Sequence, residues 1–290
     1  MFFASWRQFQ FYENTPIRDP LLGSDSPLYS DPTLSAASPI NRNRFVLAVR
    51  SNHLRLINLS ESKVEHEFQA FEDSFQITHL ETVHQGFLLA VGEALGKPSL
   101  IKIYKLDKLP NSPGSYHSVI EVRNGNNTFP ISVVATCEDL TCIAVGFVSG
   151  KIVLIRGDLL RDRGSRQRII YEDVGKEPVT SLEFNLDASV CFAATTTRIM
   201  MFNTTGRNRG QPDLILDSQH GLSLNCSCFS TYTNEYICSV EGSIDFYKDG
   251  GEKKPLVTEL SGVKRIYPVN EDHLLVVVEA EYAKSTVLEV

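Results

Sequence analysis

The stretch Ile131–Arg156 reads ISVVATCEDLTCIAVGFVSGKIVLIR and decides the fold class. It contains three apolar runs rich in β-branched residues, separated by two short polar breaks. The runs are Ile131–Thr136, Thr141–Phe147 and Ile152–Arg156, and the breaks are 137–140 and 148–151. Short apolar runs bounded by Gly, Ser and Asp are typical of strands joined by tight turns. The stretch therefore predicts a unit of three antiparallel strands.

The same pattern of short strands and tight turns returns along most of the chain. The third strands of the repeats align on one apolar residue each: Leu54, Ile101, Ile152, Ile199, Ile244 and Val287. These residues are about 43 to 51 positions apart, which is the period of four-stranded propeller blades. A sandwich or a barrel also contains many short strands, but it would not repeat one order of short and long connections. We predict an all-β protein, a β-propeller of four-stranded blades with about six visible repeats, forming part of a seven-bladed ring.

The sequence divides into an irregular N-terminal part and the propeller. Residues 1–43 contain one candidate strand, Trp6–Glu13, and a proline-rich connection, and we expect them to pack on a propeller formed by residues 44–290. The sixth repeat lacks an outer strand. Either Trp6–Glu13 supplies that strand, or the propeller is truncated at its C-terminus. The strand-like ending Leu288-Glu289-Val290 favours truncation, which would leave blade edges unpaired.

Composition excludes several classes of protein. The formal net charge of −7 argues against a general nucleic-acid binder, which is usually basic. No secretory signal is present, because Trp6-Arg7-Gln8 interrupts the apolar N-terminus. The longest apolar runs, such as Leu274–Val278, are far too short to span a bilayer. We therefore expect a cytosolic protein whose six cysteines are thiols rather than disulfides.

The sequence contains none of the common catalytic motifs. There is no His-Glu-x-x-His, no Gly-x-Ser-x-Gly, no phosphate-binding loop and no dinucleotide fingerprint. We therefore predict that the protein is not an enzyme and takes neither a cofactor nor a small-molecule substrate. The alternative is a propeller hydrolase with carboxylates lining its central channel. Three predicted innermost strands, Ile131–Thr136, Val179–Phe184 and Leu222–Phe229, offer only Glu183 as an acidic residue.

One group of residues resembles a metal site. Cys226 and Cys228 are spaced to place both thiols on one face of a strand, with His220 and Cys238 nearby. Structural zinc sites use two matching ligand pairs, and here the second pair is missing. We expect these cysteines to pack between blades and predict no metal site.

The most distinctive polar region is Arg156–Arg168, RGDLLRDRGSRQR, in which five arginines accompany two aspartates. The repeat pattern places it between the third and fourth strands of one blade. A second basic segment, 206–210, occupies the equivalent connection of the next blade. Equivalent connections share one side of a propeller, so the two segments are expected to form one basic patch, unless both are simply solvated mobile loops. The candidate partner-binding residues are Arg156, Arg161, Arg163, Arg166, Arg168, Arg207 and Arg209. Their guanidinium groups suit carboxylates or phosphates of a partner.

Several segments carry a resemblance to a known family. They are Ser5–Phe9, Pro16–Pro20, Tyr29–Thr33, Gly96–Leu100, Tyr104–Leu106, Asn124–Thr128, Gly146–Arg168 with Tyr171-Glu172, and Phe202–Gly210. Together they resemble the N-terminal propeller of the vacuolar protein sorting-associated protein 11 family in its fungal form. The similarity extends along the whole sequence.

The resemblance implies a function in vesicle tethering. Members of this family are core subunits of the HOPS and CORVET complexes, which act in endosome and vacuole docking and fusion. It implies other tethering subunits as partners, Rab-type GTPases or SNARE-linked proteins as indirect ones, and peripheral association with the cytosolic face of these membranes. The α-solenoid and RING-type zinc domain of longer family members do not occur in this sequence, so no RING-dependent activity is carried over.

Overall fold

The computed structural model describes most of the chain. The described residues are 6–9, 34–61, 63–83, 86–109, 115–123, 129–161, 163–172, 177–205, 212, 214–217, 222–240, 243–248, 252–257, 260, 262–278 and 284–289. They form six four-stranded antiparallel sheets, which confirms the predicted all-β class. We refer to these sheets as blades 1 to 6.

The first three blades each use four consecutive strands. Blade 1 contains β2 (Ala36–Pro39), β3 (Arg44–Val49), β4 (His53–Asn58) and β5 (Lys63–Gln69). Blade 2 contains β6 (Gln76–Val83), β7 (Phe87–Glu93), β8 (Leu100–Lys105) and β9 (Ser118–Glu121). Blade 3 contains β10 (Ile131–Thr136), β11 (Cys142–Phe147), β12 (Ile152–Asp158) and β13 (Arg163–Tyr171).

The next two blades repeat this order, and the last one combines both ends of the chain. Blade 4 contains β14 (Ser181–Phe184), β15 (Val190–Ala194), β16 (Arg198–Asn203) and β17 (Leu214–Asp217). Blade 5 contains β18 (Leu222–Ser230), β19 (Glu235–Val240), β20 (Ser243–Tyr247) and β21 (Lys253–Val257). Blade 6 contains β22 (Val263–Pro268), β23 (His273–Val278), β24 (Lys284–Glu289) and β1 (Trp6–Phe9).

The six residues used to align the repeats lie on β4, β8, β12, β16, β20 and β24, the third strand of every blade. The innermost strands contact one another in chain order from β2 through β22. An equally extensive contact between β22 and β2 does not occur among the described residues. The seventh blade of the predicted ring therefore stays a prediction.

The N-terminal strand completes blade 6. β1 pairs antiparallel with β24, so that Trp6 lies opposite Leu288 and Phe9 opposite Ser285. Of the two alternatives that the sequence left open for blade 6, this is the one in which the N-terminal strand supplies the outer strand. β2 belongs to blade 1, although the sequence placed its residues before the propeller. The sheets therefore do not divide the chain after residue 43, because short strands on both sides of the proline-rich connection join blades.

The hydrophobic cores lie between adjacent blades. One core joins β7 and β8 of blade 2 to β11 and β12 of blade 3, and another joins blade 3 to blade 4. The middle strands are consequently buried on both faces, and every residue of β11 is buried. Such strands appear in sequence as continuous apolar runs. The blades approach closely at Gly146, where an added Cβ would lie 2.7 Å from Cγ1 of Val179.

Side chains of Asp and Asn shape the turns on one face of the propeller. Oδ1 of Asp139 accepts a hydrogen bond from the backbone nitrogen of Thr141 at 3.0 Å, and Asp187 and Ser189 repeat this contact in blade 4. Leu140 and Ala188, the residues that follow these aspartates, both adopt a φ of +54°. Local hydrogen bonds of this kind favour turns over continued strand. The turns between first and second strands and between third and fourth strands emerge on this face, because successive strands run in opposite directions.

Candidate interaction surface

The predicted basic loop is mostly strand. β12 continues to Asp158 and β13 begins at Arg163, and the described residues between them, 159–161, form a turn. Arg156, Arg163, Arg166 and Arg168 therefore lie on strands, and Arg161 alone lies in the turn. The prediction of a loop across 156–168 was wrong. An outer strand of a blade tolerates charged residues because its side chains reach solvent, and such residues give no apolar signal in the sequence.

Two of these arginines connect blade 3 to blade 4. Nη1 of Arg156 and Nη2 of Arg168 each donate a hydrogen bond of 2.7 Å to the backbone oxygen of Thr204. Thr204 follows β16 and is itself fixed by a hydrogen bond of 3.1 Å from its Oγ1 to the oxygen of Ser189. The structure thus brings these two predicted residues together and gives them a structural contact.

A third arginine, Arg166, lies directly opposite Arg156 in the register of β12 and β13. Its side chain is exposed. Ion pairs in the described part of the chain include neither Arg156 nor Arg166. Like charges directly opposite each other across two strands are destabilising. The face formed by Arg156, Arg166 and Arg168, which we call the arginine face, therefore concentrates positive charge at the edge of an acidic protein.

The other predicted residues lie near this face or outside the described residues. In the turn, Nε of Arg161 lies 3.4 Å from Oδ2 of Asp158, and both side chains are well exposed. Such a pair contributes little to stability. Arg163 pairs with Asp158 in the strand register. Arg207 and Arg209 lie outside the described residues, although they follow Thr204 by only a few positions in the sequence.

The opposite face of β13 lines a groove between the rims of blades 2 and 3. Nε2 of Gln167 donates a hydrogen bond of 2.7 Å to the oxygen of Glu121, and its Oε1 accepts one of 2.8 Å from the nitrogen of Arg123. The groove has a volume of about 630 Å³. Its aliphatic walls include Val119 of β9 and Ile169 of β13, and Ile169 is 37% exposed. Sequence reasoning missed this groove because it depends on the separation of two outer strands.

The equivalent strand pair of blade 1 carries balanced charges. Arg55 on β4 lies directly opposite Glu67 on β5, and Nε of Arg55 is 2.8 Å from Oε2 of Glu67. The Arg55 side chain is only 3% exposed. Glu67 also meets Nη1 of Arg50 at 3.4 Å, and Arg44 pairs with Glu65 at 2.7 Å. Arg44, Arg50 and Arg55 therefore each have a carboxylate within the same blade.

The innermost strands carry a pair of carboxyl groups that the sequence only half revealed. Burial, followed by the charge of the nearby Glu81, raises the pKa of Glu183 on β14 to about 8. Burial also raises the pKa of Glu81 on β6 to about 7, although its Oε1 accepts a hydrogen bond of 2.8 Å from Oγ1 of Thr136. Glu81 was not anticipated because the innermost strands considered from the sequence did not include β6 (Gln76–Val83). The register of β6 also shifts between Ile77 and His79, which changes the face that the later residues of the strand occupy.

The cysteines of blade 5 pack as apolar groups. Cys226 and Cys228 contact the core between blades 5 and 6, whereas Cys238 contacts the core between blades 4 and 5. Burial raises the pKa of the Cys226 thiol to about 11, and it also raises the pKa of Cys228 and Cys238. Thiols of this kind are poor metal ligands at neutral pH, since the thiolate is the ligand. His220 lies outside the described residues. Among the residues that are described, no group of three or more His, Cys, Asp or Glu side chains could hold a metal ion.

The described part of the chain also contains no helix with the length and apolarity needed to cross a membrane.

Comparison with known proteins gives one family. The family model described as PEP5/VPS11 N-terminal matches residues 6–288. The chain is 28% identical over 256 residues to the vacuolar protein sorting-associated protein 11 homolog of Mus musculus, which covers 83% of this chain. It is 30% identical over 166 residues to the homolog of Dictyostelium discoideum, covering 53% of this chain and 16% of that protein.

A Pep5-like zinc finger protein of Schizosaccharomyces pombe is 30% identical to this chain over 118 residues, which are 41% of this chain and 13% of that protein. The match to the mouse protein covers 26% of its length. The chain thus spans about a quarter of the length of the first curated relatives it matches.

Proposed function

Because the chain belongs to the PEP5/VPS11 N-terminal family, we propose that it is a non-enzymatic interaction scaffold, the propeller head of a vesicle-tethering subunit. In this proposal it acts in vacuolar protein transport, at the docking and fusion of endosomes and vacuoles, as part of HOPS and CORVET complexes. Other tethering subunits are its direct partners. Rab-type GTPases and SNARE-linked proteins are indirect ones, and the head lies peripherally on the cytosolic face of the membrane.

The observation that carries this proposal is the arginine face. Arg156 and Arg168 are held by Thr204 at the junction of blades 3 and 4, and Arg166 is exposed beside them. A rigid propeller that presents guanidinium groups at its rim is suited to bind acidic groups of a large partner, since arginines are common binding hot spots. Arg161 lies in the adjoining turn, and Arg163, Arg207 and Arg209 remain candidates for the same surface on the basis of the sequence.

A pull-down against the other tethering subunits tests this function. Arg161, Arg163, Arg166, Arg207 and Arg209 are replaced together by Glu in the 290-residue chain, while Arg156 and Arg168 are kept because they join two blades. A matched control replaces five exposed basic residues of other blades by Glu: Arg42, Lys63, Lys108, Lys254 and Lys264. We expect the first variant to lose its partner subunits and the control to retain them. Capture of every partner by both variants would contradict the proposal.

One observation favours the second candidate function, a propeller hydrolase. Glu81 and Glu183 place two interacting carboxyl groups on innermost strands. However, their surroundings shift both pKa values upward. Sites that combine an acid with a base push the two pKa values apart. We therefore keep the scaffold as the proposed function.

A further inference from the structure

The outer edge of β13 is open. β13 is the last strand of blade 3, and among the described residues no other strand pairs with its far side. With nine residues it is as long as any strand of the described chain. Alternate N–H and C=O groups along such an edge point away from β12 and are available to an additional strand.

The two faces beside this edge differ in chemistry. Ser165, Gln167 and Ile169 line the groove shared with blade 2, together with Val119, Glu121, Arg123 and part of Arg168. Arg166 and Arg168 alternate with Gln167 along the strand, and the guanidinium group of Arg168 reaches Thr204 of blade 4 on the other face. A strand that extended the sheet would thus meet a groove of mixed polarity on one side, with aliphatic contacts at Val119 and Ile169, and the arginine face on the other.

The charge of the arginine face indicates the chemistry of the occupant. Arg166 lies opposite Arg156 without a carboxylate between them, although the whole chain has a formal net charge of −7. An anionic side chain placed beside Arg166 would remove a repulsion that the chain itself leaves in place, and it would accept charge-assisted hydrogen bonds.

We propose that β13 binds an extended peptide segment of a partner protein, in which carboxylate and aliphatic side chains alternate, as a fifth strand of blade 3. The alternation follows from the period of two in a strand, because every second side chain faces the arginines and the others face the groove. The inference rests on the proposed function in that the segment belongs to another tethering subunit. An anionic membrane surface is the alternative occupant of the arginine face, and a separate arm of the test distinguishes it from the peptide.

The test uses the full 290-residue chain and a fluorescent synthetic peptide, about as long as β13, in which Glu alternates with Val or Ile. A peptide of the same composition, with its glutamates grouped at one end, is the first control. Anionic vesicles containing phosphatidylserine form a separate arm. Arg166→Glu is compared with Arg42→Glu, an equal charge change at an exposed turn of blade 1. Thermal unfolding of each variant verifies that it is folded.

We expect the alternating peptide to bind the wild-type chain and Arg42→Glu with similar affinity. Arg166→Glu is expected to weaken binding by about tenfold or more, since hydrogen bonds to charged groups are lost. Hydrogen exchange of the β13 amides is expected to slow when the peptide binds. The grouped peptide should bind weakly and leave exchange unchanged.

Three results would overturn the inference. The first is equal binding of the alternating and grouped peptides, because pairing with a strand requires the alternation. The second is unchanged exchange in β13 at saturating peptide. The third is binding of the vesicles, but not of the alternating peptide, through Arg166. None of these results would bear on the subunit pull-down, so the inference can fail while the proposed function stands.

Discussion

The outer strand pairs of blades 1 and 3 occupy equivalent positions, but different groups face their arginines. In blade 1, Arg55 on β4 faces Glu67 on β5 across the sheet at 2.8 Å. In blade 3, Arg156 on β12 faces Arg166 on β13. The charges of the first pair balance within blade 1. In blade 3, Arg156 and Arg168 instead donate hydrogen bonds to the backbone oxygen of Thr204 in blade 4. The exposed charge of Arg166 is not balanced by a carboxylate opposite it, and the proposed binding of an acidic partner rests on this difference.

A second comparison sharpens this conclusion. Glu81 and Glu183 are also like groups in proximity, but burial and their mutual repulsion raise the pKa of Glu183 to about 8. A carboxyl group that binds a proton becomes neutral, and this removes the repulsion between the two glutamates. Arginine remains charged at every accessible pH. The repulsion between Arg156 and Arg166 therefore cannot be relieved by the loss of a proton.

At a single pH, the largest effect is expected when the ion pair between Arg55 and Glu67 in blade 1 is removed. Glu67→Ala leaves the Arg55 guanidinium, which is 3% exposed, without the carboxylate opposite it. We expect it to lower the free energy of unfolding by about 3 kcal/mol, as for a buried charge that loses its partner. Arg166→Ala in blade 3 is the matched variant and should change that free energy by less than about 0.5 kcal/mol. Urea unfolding of both variants measures the difference, and equal losses would show that the two blades do not differ.

The second effect depends on pH and concerns Glu183. Its pKa is raised in the folded state, so the folded protein favours the neutral carboxyl group. The contribution of Glu183 to the stability of the fold is therefore fully present below the ordinary pKa of 4.5 and is lost as pH rises through about 8. Glu183→Gln stays neutral and should therefore gain stability relative to wild type between pH 5 and pH 9, by about 4 kcal/mol, since each pKa unit corresponds to about 1.4 kcal/mol.

Unfolding at pH 5 and at pH 9 measures the effect at Glu183. The exposed Glu121→Gln serves as the control for replacing a surface carboxylate by an amide. An equal stability difference between wild type and Glu183→Gln at both pH values would contradict a raised pKa.

The smallest effect concerns salt. Arg166→Gln removes the repulsion with Arg156 and should raise the free energy of unfolding by about 0.5 kcal/mol at low ionic strength. This gain should disappear near 1 M salt, where exposed charges interact over only about 3 Å. Urea unfolding at both salt concentrations tests it. A gain that persists at high salt would assign the effect to something other than charge.

The sequence predicted the blades well because their middle strands are apolar on both faces. Ile131–Thr136 was located to the residue, and all six alignment residues lie on third strands. The sequence patterns missed Ala36–Pro39, since a short strand with Ser and Pro has no apolar pattern. The start of β13 at Arg163 was missed for a similar reason, because the first part of this strand consists of polar and charged residues.

The candidate site was predicted in composition but not in geometry. The density of arginines in 156–168 identified the region from sequence alone. The hydrogen bonds of Arg156 and Arg168 to the oxygen of Thr204 could not be predicted, because every residue has a backbone oxygen and the sequence does not show which one lies nearby. The proximity of Glu81 to Glu183 likewise depends on how strands of different blades are arranged around the channel.

The most direct test of an arginine face that binds an anionic partner is a charge swap at residue 166. Binding of the alternating Glu peptide, and of the same peptide with Lys in place of Glu, is measured with the wild-type chain and with Arg166→Glu. The account predicts that the variant loses the Glu peptide and gains the Lys peptide. Its free energy of unfolding should at least equal that of wild type, since the introduced carboxylate would face Arg156 as Glu67 faces Arg55. A variant that binds the Lys peptide no better than the wild-type chain does, or that is clearly less stable, would contradict it.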